Sequence, residues 1–172
     1  MPAPWIQMKL LKILELLGKG DTKTSEHCYT IVEQALKRAD ETSNNISFAI
    51  AYQCIKTIFT IYPNEKLVSQ AAAGLSKFLS STSNNNLKHM GLRLLIQAHK
   101  DHPKLLEDYQ LIIVECLESK DETLKQETLD LLYRMTTNEN IEVIVGKMME
   151  TLHGATDQYF RNALVLKITE LC

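Results

Sequence analysis

The sequence predicts an all-α protein, a right-handed α-solenoid of stacked antiparallel helix pairs of the armadillo/HEAT kind, with about nine helices. Three observations carry that expectation. An apolar frame on helical spacing returns five times, at intervals of 44, 37, 37 and 36 residues. It reads Ile6, Leu10, Ile13, Leu14, Leu17, then Ile50, Cys54, Thr57, Ile58, Ile61, then Leu87, Gly91, Leu94, Leu95, Ala98, then Leu124, Thr128, Leu131, Leu132, Met135, then Phe160, Leu164, Lys167, Ile168, Leu171. Of these 25 positions 21 are apolar, where about 11 are expected from the overall composition. The second observation is punctuation: Pro, Gly, Asn, Asp and Ser gather in short stretches between the periodic runs, which makes consecutive helices antiparallel. The third is that no run alternates with a period of two for long enough to form a strand. A lone helical hairpin cannot bury two apolar faces, so neighbouring pairs must stack.

Each helix has a start and a stop in the sequence. Pro4 suits the first turn of a helix from Trp5 to Leu17, which Gly18-Lys19-Gly20-Asp21 ends. Thr24 or Ser25 can cap the second helix, whose Cys28, Ile31, Val32, Ala35, Leu36 and Ala39 share a face. Asp40 to Asn45 is a polar connector, and a third helix runs from about Ile46 to Tyr62, stopped by Pro63. The fourth carries Leu67, Val68, Ala71, Ala72, Leu75, Phe78 and Leu79 and closes in Ser80-Ser81-Thr82-Ser83-Asn84. Asn84 to Asn86 can cap the fifth, which holds Leu87 to His99, and Pro103 opens the sixth, with Leu105, Leu106, Tyr109, Ile112, Ile113, Cys116 and Leu117. Ser119-Lys120-Asp121 leads to a seventh, Glu122 to Thr136. Asn138-Glu139-Asn140 leads to an eighth, with Ile141, Ile144, Val145, Met148, Met149 and Leu152, ended by Gly154. Asp157 caps a ninth through Phe160, Leu164, Ile168 and Leu171.

The whole chain, 1–172, is expected to be a single solenoid segment. Terminal repeats normally carry a polar outer face, yet the first helix is apolar from Trp5-Ile6 and the last stops at Leu171-Cys172. The expectation is therefore a section of a longer solenoid, with Met1 not necessarily a native start. Composition narrows the function classes. Lys plus Arg number 19 against 21 Asp plus Glu, a net charge of −2, and the basic residues are scattered, which argues against nucleic acid as a partner. Lys37-Arg38 and Lys88-His89 read as solvated surface, with a weak anionic-lipid or acidic-peptide contact as the alternative. No stretch reaches the roughly 20 apolar residues of a membrane span, and Gln7, Lys9, Lys12 and Glu15 interrupt the apolar N-terminus, unlike a secretory signal. The expected compartment is the cytoplasm. Cys28, Cys54, Cys116 and Cys172 are widely spaced and read as buried, reduced thiols. Asn45-Ile46-Ser47 is a formal glycosylation sequon that a chain without an export signal does not use.

Candidate chemistry is sparse, and no catalytic, cofactor-binding or metal-ligating residue is assigned. His99 and His102 are three apart but separated by a helix end, and no further ligand is near in sequence. His27 and Cys28 are adjacent on a helix and so point about 100° apart. Gly18-Lys19-Gly20-Asp21 lacks phosphate-loop spacing and follows a helix, not a strand. Glu115, Glu118, Asp121, Glu122, Glu127 and Asp130 read as dispersed surface carboxylates, and Met148-Met149 as core in preference to an adaptable binding face. Partner-binding residues stay unassigned.

Several stretches resemble a known family. Pro4-Trp5-Ile6-Gln7-Met8-Lys9-Leu10-Leu11-Lys12-Ile13-Leu14 is similar to the opening of a segment inside the trunk of the adaptin large subunits. Ile61-Tyr62-Pro63, Ile113-Val114-Glu115-Cys116-Leu117, the run from Glu127 to Met135, and Asn140-Ile141 through Val145 to Lys147-Met148 resemble the epsilon class most, that of the fourth adaptor complex. The likeness is colinear and covers nearly the whole chain. It implies a middle segment of the trunk solenoid of a heterotetrameric vesicle-coat adaptor at the trans-Golgi network or endosomes. The implied partners are the small, medium and second large subunits, with a small GTPase and the membrane surface reached through the full complex. It implies no cofactor and no enzymatic role. The alternatives are another helical-repeat binding protein, such as gamma-adaptin, a coatomer subunit or a transport receptor, and an all-helical enzyme with a site assembled from scattered residues.

Overall fold

The computed structural model describes residues 3–80 and 84–171. Met1, part of the expected linker (Ser81, Thr82 and Ser83) and Cys172 lie outside the described residues. Among the described residues there are nine α-helices and no strand: α1 (Pro4–Gly18), α2 (Thr22–Asp40), α3 (Asn45–Ile58), α4 (Glu65–Leu79), α5 (Asn85–Ala98), α6 (Pro103–Cys116), α7 (Glu122–Met135), α8 (Ile141–Gly154) and α9 (Gln158–Leu171). This is the all-α helical-repeat class that the spacing predicts.

Every helix start but that of α8, which has no side-chain cap, follows a simple rule. Asp21, Asn44, Asn64, Asn84, Asp121 and Asp157 each accept, through a side-chain oxygen, the amide of the residue three places on, at 2.6 to 3.2 Å. That satisfies one of the otherwise unpaired first-turn donors. α1 and α6 instead begin with Pro4 and Pro103, whose missing amide costs nothing in a first turn. Two boundaries differ from expectation. Asp21, not Thr24 or Ser25, caps α2, because the Ser25 hydroxyl is committed elsewhere. α3 ends at Ile58, short of Tyr62. There the chain turns through Thr60 N–H and Ile61 N–H, both donating to the Thr57 carbonyl at 3.0 Å.

The fold divides into two compact units, the first up to Phe78 and the second from Leu79. In the first, α1 and α2 pack on α3 and on each other. Ser25, fully buried, ties the corner: its hydroxyl lies 2.8 Å from the Gly18 carbonyl and 2.7 Å from that of Asp21, and accepts the Tyr62 amide at 3.0 Å. Gly18 sits so close to Ile61 that a Cβ there would stand 2.7 Å from the Ile61 Cγ2, while Gly20 supplies the left-handed backbone (φ 79°) that turns the chain into α2. α4 meets both α2 and α3, with Gly74 against Ile55 and Leu36 and the Phe78 ring edge-on to Phe48.

In the second unit α7 is the hub, packing on α5, α6 and α9, while α8 pairs with α9. Arg161 closes the end of α8 by donating to the carbonyls of Leu152 and Ala155 at 3.0 and 2.9 Å. The recurring frame is the core of these packings. All five of its residues on and just after α3 and all five on α7 are buried, as are four on α5; on α9 Phe160 and Leu164 are buried and the rest half-buried. α1 is the exception. It turns Leu11, Glu15 and Gly18 inward, a row at i, i+4 and i+7, so that Ile6, Leu10, Ile13 and Leu17 stay 50 to 60% exposed.

Candidate interaction surfaces

The residues weighed for chemistry do not converge. His99 follows the end of α5 and His102 precedes α6; His27 is exposed whereas Cys28 beside it is buried. Among the described residues no group of three His, Cys, Asp or Glu side chains is placed to hold a metal ion. Met148 is fully buried and Met149 exposed, so the pair is half core and half surface. Cys28, Cys54 and Cys116 are free and buried, as expected, and burial pushes the Cys54 thiol up to about 12. The fourth cysteine of that expectation, Cys172, lies outside the described residues.

The polar residues do have an order that composition hides. Glu15 is buried to 5% exposure and takes Lys12 at 2.6 Å and Gln53, from the next frame helix, at 2.8 Å. Glu33 of α2 receives Lys66 and Gln70 of α4 at 2.8 and 3.2 Å, with Lys37 at 3.1 Å. These donors hold its carboxyl down at about 2, with Lys66 the largest cause. Asp40 pairs with Lys77, His89 and Arg93 with Glu127, and Asp130 with Lys167, at 3.0, 2.6, 3.0 and 3.6 Å. Asn85 donates to Asp121 at 3.4 Å. Asp121 is held below the usual carboxylate range chiefly by the Leu124 amide. Of the carboxylates that read as dispersed surface, Glu118, Asp121, Glu127 and Asp130 therefore meet a partner on another helix, whereas Glu115 is exposed and Glu122 pairs with Lys125 of its own helix. Lys12 and Lys37 lie on the same helix as the carboxylates they meet; the other partners of Glu15, Glu33, Asp40, Glu127 and Asp130 stand 33 to 38 residues away, close to the interval between successive frames. That coincidence of period was present in the sequence and is the signal that finds them.

Two further features are exposed. On α1, Trp5, Ile6, Leu10, Ile13, Leu16 and Leu17 form a contiguous apolar face, each at least 50% exposed. On α9, Tyr159, Val165 and Leu166 are 46 to 74% exposed. Helix faces of this kind bury themselves against other helices. No helix of the described residues is long and apolar enough to cross a membrane.

A family model, "Adaptin N terminal region", matches residues 1–172. The chain belongs to the adaptin family. This adaptin segment is 44% identical to the human AP-4 complex subunit epsilon-1 over 171 residues, covering 99% of this chain and 15% of that protein. It is 43% identical to the Arabidopsis thaliana AP-4 complex subunit epsilon, again over 99% of this chain and 18% of the relative. Against the AP-1 complex subunit gamma of Dictyostelium discoideum identity falls to 32%, over 96% of this chain and 18% of the relative. The chain thus spans less than a fifth of the length of these relatives, and its likeness is greater to the epsilon than to the gamma subunit. The resemblance drawn from the residues is borne out at both levels.

Proposed function

We propose that this adaptin segment is a noncatalytic scaffold: one stretch of solenoid, residues 1–172, within the longer trunk of an epsilon-adaptin-like large subunit of a vesicle-coat adaptor. Its work is to hold a surface of fixed shape on which the small, medium and second large subunits assemble. Through the full complex it would support cargo sorting at trans-Golgi or endosomal membranes, as a peripheral, cytoplasmic component reached by a small GTPase. The observation that carries this reading is the 44% identity to an AP-4 epsilon subunit across 99% of the chain. The role of the polar side chains agrees with it: Glu15, Glu33, Asp40, Glu127 and Asp130 join one repeat to the next. The apolar outer face of α1 is suited to seat a further helix pair of the same trunk.

Co-precipitation tests the reading. The parent large subunit, expressed with the small and medium adaptor subunits, is expected to recover both. Recovery of neither removes the adaptor assignment, and recruitment to coatomer instead would transfer the scaffold role to a different coat.

A further inference from the structure

α3 meets α1 through three frame-spaced residues. Gln53 donates to Glu15 at 2.8 Å, the Thr57 hydroxyl lies 3.4 Å from the Leu11 carbonyl, and Ile61 packs on Gly18. These residues are the side of α3 that faces the frame helix before it. α7 uses the same frame positions. Glu127, two frames after Gln53, takes His89 and Arg93 of α5 at 2.6 and 3.0 Å, and Leu131, two frames after Thr57, is fully buried. On α9 the position of Thr57 is held by Lys167, which lies 3.6 Å from Asp130 and 3.9 Å from the centre of the Tyr133 ring, both on α7. In α3, α7 and α9, one face in one unchanged register reaches back to the preceding frame helix.

Carried back one frame, Gln53, Thr57 and Ile61 become Lys9, Ile13 and Leu17 of α1. All three are exposed, Ile13 by 50% and Leu17 by 58%. Lys9 lies one helical turn from both Trp5 and Ile13, so it sits inside the exposed apolar face. Lys12 is committed to the buried Glu15, whereas Lys9 has no ion pair among the described residues. Covering this face takes Lys9 out of water, and a buried charge without a partner is costly. The covering element therefore has to bring a carboxylate, as Glu15 does for Gln53 and Asp130 for Lys167. A second copy of α1 brings none, because Glu15 is its sole acidic residue and is turned inward.

We propose that the exposed face of α1 seats a helix of the parent chain lying before residue 1, with an apolar stripe on Ile13 and Leu17 and a carboxylate on Lys9. The contact rests on the placement of this segment within a longer trunk and names the residues that make the joint. The length of the relatives agrees with it, since the matched segment is 15% of the human and 18% of the Arabidopsis thaliana AP-4 epsilon subunit. The new joint repeats the one between α1 and α3, with Lys9 acting where Gln53 acts there.

Carbodiimide coupling of the purified parent large subunit tests the proposal, because the reagent joins an amine to a carboxylate that is already in contact with it. Mass spectrometry is expected to find Lys9 joined to an Asp or Glu upstream of residue 1, and Lys9→Met to lose that product. Hydroxyl-radical labelling of Trp5 and Ile13, strong in the 172-residue chain, should be lost in the parent. Lys9→Glu should lower the melting temperature of the parent and leave that of the 172-residue chain in place. If that variant of the parent fails to fold, coupling and labelling of the unsubstituted subunit decide. Coupling of Lys9 to another subunit, to a second copy or to nothing overturns the proposal, as does equal labelling at both lengths or an unchanged parent melt for Lys9→Glu. The adaptor reading fails separately: upstream coupling without recovery of the small and medium subunits removes that reading and keeps this joint, whereas their recovery without upstream coupling removes the joint alone.

Discussion

At the scale of single residues, the tightest constraint is the corner between α1, α2 and the turn after α3. Gly18 has no room for a side chain because the β-branched Ile61, itself buried, stands across from it. The Ile61 methyl lies near its own backbone and cannot swing away, so Gly18→Ala should cost about 1 to 3 kcal/mol, the range for overpacking. Chemical denaturation of the variant measures it, and an unchanged midpoint would show that the corner can relax. Cys54 makes a second prediction. Its thiol is fully buried, and desolvation, with a smaller contribution from the charge of Asp40, keeps it protonated. Since the thiolate is the reacting form, Cys54 should resist a maleimide at neutral pH and react only as the first unit opens. Prompt modification of the native chain, located by mass spectrometry, would contradict that burial.

At the scale of helices, the same frame has opposite consequences at different places. Leu132 on α7 is fully buried, whereas Ile13, at the third frame position of α1, is half exposed. Leu132→Asp places an unpaired charge in the hub of the second unit and should cost about 4 kcal/mol, enough to unfold its helices together. Leu95→Asp on α5 should behave alike. Ile13→Asp should stay within about 0.5 kcal/mol of the parent, as exposed substitutions do. Thermal melts of the three variants check the contrast; equal losses would mean that the frame is covered alike in every helix. The helices, their order and most of their caps were legible in the sequence because periodicity and capping are local. The inward row of α1 was not, because Leu11, Glu15 and Gly18 form an internal line only when α2 and α3 are in place. The end of α3 was misjudged for a similar reason: Ser25, 37 residues earlier, captures the Tyr62 amide. The partner-binding surface stayed unassigned too, because the exposure of the apolar face of α1 follows from how α1 packs on α2 and α3.

At the scale of the whole molecule, stability depends on polar ties between repeats as well as on apolar packing. Glu33 is ionised down to about pH 2 in the folded chain, against an ordinary carboxyl value of 4.5. Its folded value is the lower one, so the unfolded chain takes up its proton first as the solution is acidified. The stabilisation is complete above about 4.5 and is lost progressively as pH falls toward about 2. Asp21 and Asp121 are depressed in the same direction. Urea midpoints should therefore fall through that window, and Lys66→Met should flatten the part due to Glu33; a slope identical in the variant would assign the effect elsewhere. Glu33 is partly open to water, so salt should soften the dependence. The chain has one tryptophan, and Trp5 is 69% exposed on α1. Its indole already emits from water in the native state. Intrinsic fluorescence is consequently a poor thermometer of unfolding but a built-in beacon for occupancy, turning bluer whenever another body covers that face of α1.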